Sequence, residues 1–480
     1  MSEQGQGKAL VRKVNRAQMF WRAVDVERLV GEDHPARAIW EFVGRLDLSG
    51  YYECIQSSAE AGGRPAFDPQ LLISLWVYAY SVGIGSAREI ARRCEWDPAF
   101  QWLTGGEAVN YHTLADLRVE RRAELEETFT EVLGLLSAEG LITLEQVMQD
   151  GTKIRALASG KSFRQERVLR RHLERVREYV REVGTAEAEG ESARVRAARQ
   201  RAERERGQRL ERAIAELGRL QASKSDARVS LTDPEARVMK QSDGGFAPSY
   251  NVQISADAAH GAIVSLEVVQ DGNDRHQLLP AVERMRQQMG CQPQHMVADG
   301  EYTTRANIEA MQEQGVDFIG SLREEPTPEQ QPWGARAFFY DEPQNCYVCP
   351  QGKPLRPDGW QMRSGVRYHR HRAALRDCQS CPQKPACCPD HHSRNLLRPE
   401  PSPAVEAFRQ KMSTDQAKAL YRKRSPVVEF CHAWIKSKLG LRQFHLRGLV
   451  KAKTEMLWAA LTYNIHLRLR LLKPQPQPLN

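Results

Sequence analysis

The order of apolar and polar positions divides the chain into regions of different periodicity. Over residues 1–140 apolar residues recur at helical spacing: Trp21, Val24, Val26, Leu29, Val30, Ala38, Ile39, Phe42 and Val43, then a second block from Pro69 through Tyr80. Ser86 caps a helix running to Cys94, and another starts at His112-Thr113-Leu114 and carries Arg118, followed by Arg121 and Arg122. This predicts either a helix-turn-helix that meets DNA through Arg118 or a plain helical bundle. Residues 165–225 step by three and four, through Leu169, Leu173, Val176, Val180 and Val183, then Leu210, Ile214, Leu217 and Leu220. With a break near Gly184 to Gly190 and faces crowded with Arg and Glu, they predict an antiparallel helical hairpin or short coiled coil.

Alternation takes over on either side of that hairpin. Leu144, Val147 and Met148 lead into Asp150-Gly151, which reads as a buried strand that stops on a carboxylate and turns at the glycine. Tyr250–Asp257 and Ala262–Val269 form a strand pair around Ala258-Ala259-His260-Gly261. Gln277–Met289 is helix, His295–Ala298 a strand ending on Asp299-Gly300, Arg305–Gln314 helix and Val316–Leu322 strand. The expected fold class is therefore α+β, a mixed sheet with helices on its faces behind a helical N-terminal domain.

Composition adds three constraints. At 480 residues the chain is too long for one core. The formal charge of +8 suits an anionic partner. The longest apolar run, Leu71 to Gly85, is too short to span a bilayer, and Met1–Val14 is polar and basic with no signal peptide, so an intracellular protein without a membrane partner is expected. Gly83-Ile84-Gly85 is not a nucleotide loop, because its third glycine is missing and helix precedes it.

Asp150 and Asp299 share one signature. On neighbouring strands they would sit together, repel, and need cations. Two Mg²⁺ ions would satisfy them and serve attack on a phosphodiester. A third carboxylate is available in Tyr421-Arg422-Lys423-Arg424-Ser425-Pro426-Val427-Val428-Glu429, where Pro426 opens a helix carrying Glu429. Lys436 lies two helical turns further on, on the same face; a solvent-facing salt-bridge stripe is the structural alternative.

These stretches, in this order, resemble the bacterial insertion-sequence transposases that carry an Asp-Asp-Glu triad on an RNase H-like core. Phe67–Leu72 through Trp102–Gly106 looks like their N-terminal domain, Asp150-Gly151-Thr152-Lys153 like the first-Asp motif, Tyr250-Asn251-Val252-Gln253 like the second-strand motif, and Asp299-Gly300-Glu301-Tyr302 like the second-Asp motif. Tyr421, Arg424, Glu429 and Lys436 resemble the Tyr-Arg-Glu-Lys signature, and Gly440–Gly448 its tail. One more residue separates Arg424 from Glu429 than in the signature as commonly written, and Asn110-Tyr111-His112-Thr113 stands where relatives have a Pro-Asp-His-Ser run.

The resemblance implies that Asp150, Asp299 and Glu429 hold two Mg²⁺ (or Mn²⁺) ions, that Lys436 contacts phosphate near the cut, and that Tyr421, Arg422, Lys423, Arg424, Arg442, His445 and Arg447 continue a DNA track. It implies double-stranded DNA partners (terminal repeats and target), a homodimer on DNA, and a cytoplasmic, nucleoid-associated bacterial protein. The expected domains are 1–140, DNA-binding helices; 141–164 and 229–325, the core; 165–228, the hairpin insertion; 326–400, a Cys-rich insertion; 401–472, helices bearing the third carboxylate; and 473–480, a tail.

Five of the ten cysteines fall between Cys346 and Cys387, with Cys388 next. Two Cys-x2-Cys pairs about thirty residues apart suit a closed, structural Zn²⁺ site. Within the family pattern the ligands are Cys349, Cys378, Cys381 and Cys387, with Cys346, His391 and His392 as alternatives, and Arg363, Arg367, His369, Arg370 and Arg372 would face DNA. Unmetallated thiols are the other reading. Two rival functions stand beside a transposase: a repressor or remnant that only binds DNA, and a metal-dependent nuclease that cannot join strands.

Overall fold

A computed structural model of the chain describes residues 16–19, 23–55, 65–185, 193–222, 226–322, 326–363 and 365–472, omitting side chains at 182–185 and 193. Trp21, Met1–Val14, the hairpin break at 186–192 and the 473–480 tail lie outside the described residues. Two compact units emerge, Met1–Arg121 and Arg122–Asn480. The first therefore ends nearer 121 than the expected 140.

The first unit is helical: α1 (Pro35–Val43), α2 (Ser49–Glu53), α3 (Pro69–Ser81), α4 (Ala87–Arg93), α5 (Pro98–Thr104) and α6 (Tyr111–Glu120). Its helix starts follow from local chemistry. Asp68 and Asp97 each accept a backbone N–H two residues on, and a proline follows at the first helical position. Ser86 caps α4 as expected. α5 stands between the two helices of the expected helix-turn-helix, so α4 and α6 pack together without a short turn joining them. The apolar α3 is its buried centre. Among the described residues no helix is long and apolar enough to cross a membrane.

The second unit opens with α7 (Arg122–Ala138) and then β1 (Gln146–Arg155). β2 (Phe163–Arg164) and β3 (Val229–Ser230) pair at the base of a hairpin of α8 (Glu166–Thr185) and α9 (Ala193–Gln221). Arg177 meets Glu211 and Glu166 meets Gln221, so the two helices run antiparallel. Leu169, Leu173, Val176, Leu210, Ala213 and Leu217 form the predicted apolar seam.

The chain then returns through β4 (Arg237–Lys240), β5 (Phe246–Asp257), β6 (Ile263–Val269), α10 (Leu278–Met289), β7 (His295–Ala298), α11 (Arg305–Glu313) and β8 (Asp317–Gly320). The sheet order is β4-β5-β1-β7-β8, with β6 also on β5. β5 is antiparallel to β1 and β6, whereas β7 runs parallel to β1 and β8. This is the mixed order expected of an RNase H-like core.

A second sheet fills the Cys-rich insertion: β9 (Phe339–Asp341), β10 (Cys346–Val348), β11 (Pro354–Arg363), β12 (Val366–Ala373) and, after the short α12 (Leu375–Gln379) and α13 (Lys384–Cys387), β13 (Asn395–Pro399). Then follow α14 (Pro403–Ser413), α15 (Asp415–Arg422), α16 (Arg424–Ala433), a π-helical turn Trp434–Lys438 and α17 (Leu449–Leu471), which packs on β6 and α7. Buried Val428 seats α16 against Met148, Val297 and Ile319 of β1, β7 and β8. Burying one valine contributes about 1.5–3 kcal/mol. It also sets the rotation of α16: Arg424 lies one turn before Val428 and faces β1, while Glu429, about 100° further round, faces out.

Candidate active site

Parallel pairing of β1 with β7 aligns Met148 with Val297, so two residues on, Asp150 stands level with Asp299. β7 ends just before Asp299, as expected. β1 does not end at Asp150. It continues to Arg155, paired with β5 throughout. The carboxylate is therefore mid-strand, exposed on one side because β7 has run out, and Gly151 makes no turn.

Asp150 is four-fifths buried and takes an Arg424 guanidinium N–H on Oδ2 at 3.1 Å. The Gly151 N–H donates to its Oδ1 at 2.9 Å. Burial is the largest influence on this carboxyl and outweighs Arg424; the Asp299 and Asp274 carboxylates add to it, raising the pKa to about 6. Asp299 accepts the Glu301 N–H at 2.9 Å. Lys436 donates to Thr152 Oγ1 at 2.6 Å, on the same face of β1 as Asp150. Burial, then the charges of Arg442 and Lys153, pull its ammonium below the ordinary lysine value. Tyr421 packs on the Val428 cluster under Arg424, whose guanidinium lies 5.9 Å from its ring.

Asp150, Asp299, Arg424, Tyr421 and Lys436 are thus brought together. Glu429 is on the helix that delivers Arg424, but its side chain is exposed and accepts a hydrogen bond from Ser425. Among the described residues no three of His, Cys, Asp and Glu are arranged to hold a metal ion. The fit to divalent cations therefore rests on two level carboxylates, one of them resisting ionisation, with the third on an adjoining helix.

The remaining expected DNA residues divide. Arg442 and Arg447 are exposed, and Arg442 donates to the Lys436 carbonyl at 3.3 Å. His445 is tied to the fully buried Glu455 at 2.6 Å. Arg422 and Lys423 are both exposed; Lys423 lines a hollow beside Glu145 near the start of β1, while Arg422 lines a separate groove near the end of β8. Arg118 overturns its expected role. It is buried on the inner face of α6, where it donates to the Gly85 carbonyl at 2.6 Å and stacks on Trp76.

A polar network on the other face of β1 escaped sequence reasoning. Buried Asp274 accepts hydrogen bonds from Lys153 at 3.2 Å, Asn251 at 2.5 Å and Gln253 at 2.7 Å. The Gln253 side-chain carbonyl accepts from Gln149 at 2.9 Å and from Tyr302 at 2.5 Å. The Asp274 N–H reaches Glu301 at 3.4 Å. This joins β1 to the Asp299 loop from behind. The second-strand motif held a clue, since Asn251 and Gln253 share a strand face. His432, three residues after Glu429, was also missed. Its Nε2 is closed from solvent without a hydrogen-bond partner among the described residues, and burial, then Lys436 and Arg424, pull its pKa down to about 4.

In the insertion, Cys349, Cys378, Cys381, Cys387 and Cys388 line a cavity of about 30 Å³. Backbone N–H groups of Lys353 and Arg394 approach the sulfurs of Cys349 and Cys378 at 3.3 and 3.5 Å. Burial foremost pushes the Cys387 thiol up to about 11. Cys346 is buried in β10 and, like His391 and His392, is not in the cavity lining; Cys388 takes the place expected of an alternative. Cys346, Cys349, Cys378, Cys381, Cys387 and Cys388 form no disulfide among the described residues. Of the expected DNA-facing cations, Arg370 and Arg372 both pair with Asp358 at 3.2 and 3.0 Å, and Arg367 lies over Trp360, while His369 and Arg363 are exposed.

The mixed sheet has the strand order expected of an RNase H-like core, with two aspartates level at the end of β7. Comparisons with known proteins narrow this. Residues 24–120 match the family model described as Transposase domain (DUF772), and residues 348–469 match the Transposase DDE domain. Together they indicate an insertion-sequence transposase of the Asp-Asp-Glu type, a class of DNA-cleaving enzyme. Glu429 and Lys436 fall inside the second match; Asp150 and Asp299 lie between the two. A solved piggyBac transposase synaptic complex with hairpin DNA overlaps at a TM-score of 0.24 with 8% identity, over 94% of this chain and 82% of that one, too low a likeness to carry weight. No curated protein sequence matches the chain.

Proposed function

We propose that this transposase binds the terminal repeats of its element and catalyses metal-dependent cleavage and strand transfer, with Asp150, Asp299 and Glu429 as its three carboxylates. The observation that carries the reading is the level placement of Asp150 and Asp299, with Arg424 and Lys436 delivered to the same strand face from the far end of the chain. Bound Mg²⁺ would activate the attacking water or 3′-OH and stabilise the leaving oxygen. The chain's own groups do the rest. Arg424 holds Asp150 oriented and offsets its charge. Lys436, anchored on Thr152, presents an ammonium to the phosphate beside the cut. Ser425 holds Glu429 on the exposed side of its helix, so joining the aspartates requires Glu429 to leave Ser425 and turn inward. Arg442 and Arg447 extend the positive edge.

The Cys349, Cys378, Cys381 and Cys387 thiols would hold a structural Zn²⁺, with Cys388 as the neighbour that substitutes. Binding would require their deprotonation, so zinc loss should follow acidification. Metal analysis of purified protein should find one zinc per chain, reduced in Cys387→Ser; none in the wild type sets the site aside. Two DNA ends must be brought together, which calls for a dimer on DNA.

The test is a labelled duplex of the element's own end, incubated with Mg²⁺ or EDTA. Nicking at the end followed by joining to a target supports the transposase. Nicking without joining makes it a nuclease, and binding without any cut makes it a DNA-binding remnant.

A further inference from the structure

A groove of about 900 Å³ lies where the carboxyl end of β8 meets α14 and α15. Four cationic side chains line it: Arg336, Arg409, Lys418 and Arg422. All four are exposed, and no carboxylate is among the described lining residues. Arg409 is paired with Glu406 at 2.6 Å. Arg336, Lys418 and Arg422 make no ion pair among the described residues. Lys418 and Arg422 stand one turn apart on α15, on one face, where like charges disfavour the helix. Converging cations that the fold does not neutralise set up a positive potential for an anion.

The groove leads to the carboxylates. The Ser321 carbonyl in its wall lies 3.2 Å from where a side chain on Gly300 would begin, one residue from Asp299. Tyr421, also in its wall, lies beneath the Arg424 guanidinium that holds Asp150. A chain of phosphates leaving the reacting centre would therefore pass from Asp150 and Asp299 into three uncompensated cations, with the paired Arg409 beside them, without crossing a negative charge among the described lining residues.

We propose that this groove binds the phosphodiester backbone of the DNA strand that runs on from the reacting phosphate, with Arg336 and Lys418, which come from different segments of the chain, as its principal contacts. The inference rests on the transposase reading and names a site for it. One chemistry has two sources here, the donor flank beyond the element's end and the target strand.

Binding of fluorescein-labelled oligothymidylate to the full-length protein in EDTA, measured across a salt series, tests the groove apart from catalysis. In Arg336→Gln/Lys418→Gln the slope of log affinity against log salt should fall by about 1.4, near 0.7 for each lost phosphate contact on a single strand. Both side chains are exposed, so the melting temperature should hold. The control Lys240→Gln/Arg286→Gln removes the same charge elsewhere on the unit and should leave the slope as in wild type. An unchanged slope in the first double variant, or an equal fall in the control, overturns the proposal. End duplexes with and without a flank, compared with target duplex, then identify the source by which one loses affinity. A wild type that binds through the groove yet never nicks would remove the enzymatic reading and leave the groove standing.

Discussion

At Gly151 the chain stays extended and paired with Gln253, and an added methyl carbon would lie 2.5 Å from Gln253 Nε2 and 2.7 Å from Asp274 Oδ1. At Gly300 the chain has left its strand, and the nearest obstacle is the Ser321 carbonyl at 3.2 Å. The two Asp-Gly pairs therefore place their carboxylates by different means. Asp150 is held by a strand whose back face is filled with a buried polar network, and its glycine exists to let Asp274 approach. Asp299 is held by a loop that closes on its own backbone, through the Glu301 N–H. The first carboxylate is positioned by residues far away in sequence, the second by its neighbours.

Gly151→Ala should separate the two most sharply. The methyl has no room beside buried amide and carboxylate groups, so overpacking should cost about 1–3 kcal/mol in chemical denaturation. Asp274→Asn keeps the shape and one accepting oxygen but removes the negative charge on which Lys153, Asn251 and Gln253 converge. If the network positions Asp150, metal affinity should weaken about 10–100-fold, read as the Mn²⁺ concentration that raises the melting temperature. A lower melting temperature with unchanged Mn²⁺ dependence would make the network structural only.

The next effect is in pH. With a folded-state pKa near 6 against an ordinary 3.8, the native state holds the Asp150 proton more tightly than the unfolded chain. That contribution is fully present below about 4. Metal-free stability should fall as pH rises toward 6, by up to about 1.4 kcal/mol per pH unit, and level off above. The fall should be absent in Asp150→Asn and reduced by Mn²⁺. Gly300→Ala should do least, within about 0.5 kcal/mol, because one carbonyl in a loop can give way. Equal costs at the two glycines would erase the distinction.

The features readable in advance were local or periodic. The hairpin seam, the strand pair at 250–269 and the two aspartates each sit inside their own pattern. So did Ser86 as a cap. What stayed hidden depends on contacts between distant segments. Asp274 meets Lys153 across 121 positions. Asp150 looked like a strand end because Gly151 is usually a turn residue, and nothing local shows that the glycine clears space for Asp274. Arg118 looked like a DNA contact because a cation on a helix is usually exposed; here a cation–π contact and a carbonyl bury it. The five-stranded sheet of the insertion was hidden by short strands in Pro- and Cys-rich sequence. Glu429 was legible as a helix residue after Pro426, but its outward side chain follows from the rotation that Val428 imposes.

The central claim is that Asp150, Asp299 and Glu429 form one cation site despite the outward pose of Glu429. Calorimetric titration of Mn²⁺ into wild type, Asp150→Asn, Asp299→Asn and Glu429→Gln, each paired with nicking of the end duplex, measures it directly. Loss of Mn²⁺ binding and of nicking in all three variants, with DNA binding retained, is the predicted result. A Glu429→Gln protein that binds Mn²⁺ and nicks like wild type would contradict it, leaving the site to the two aspartates and some other third ligand.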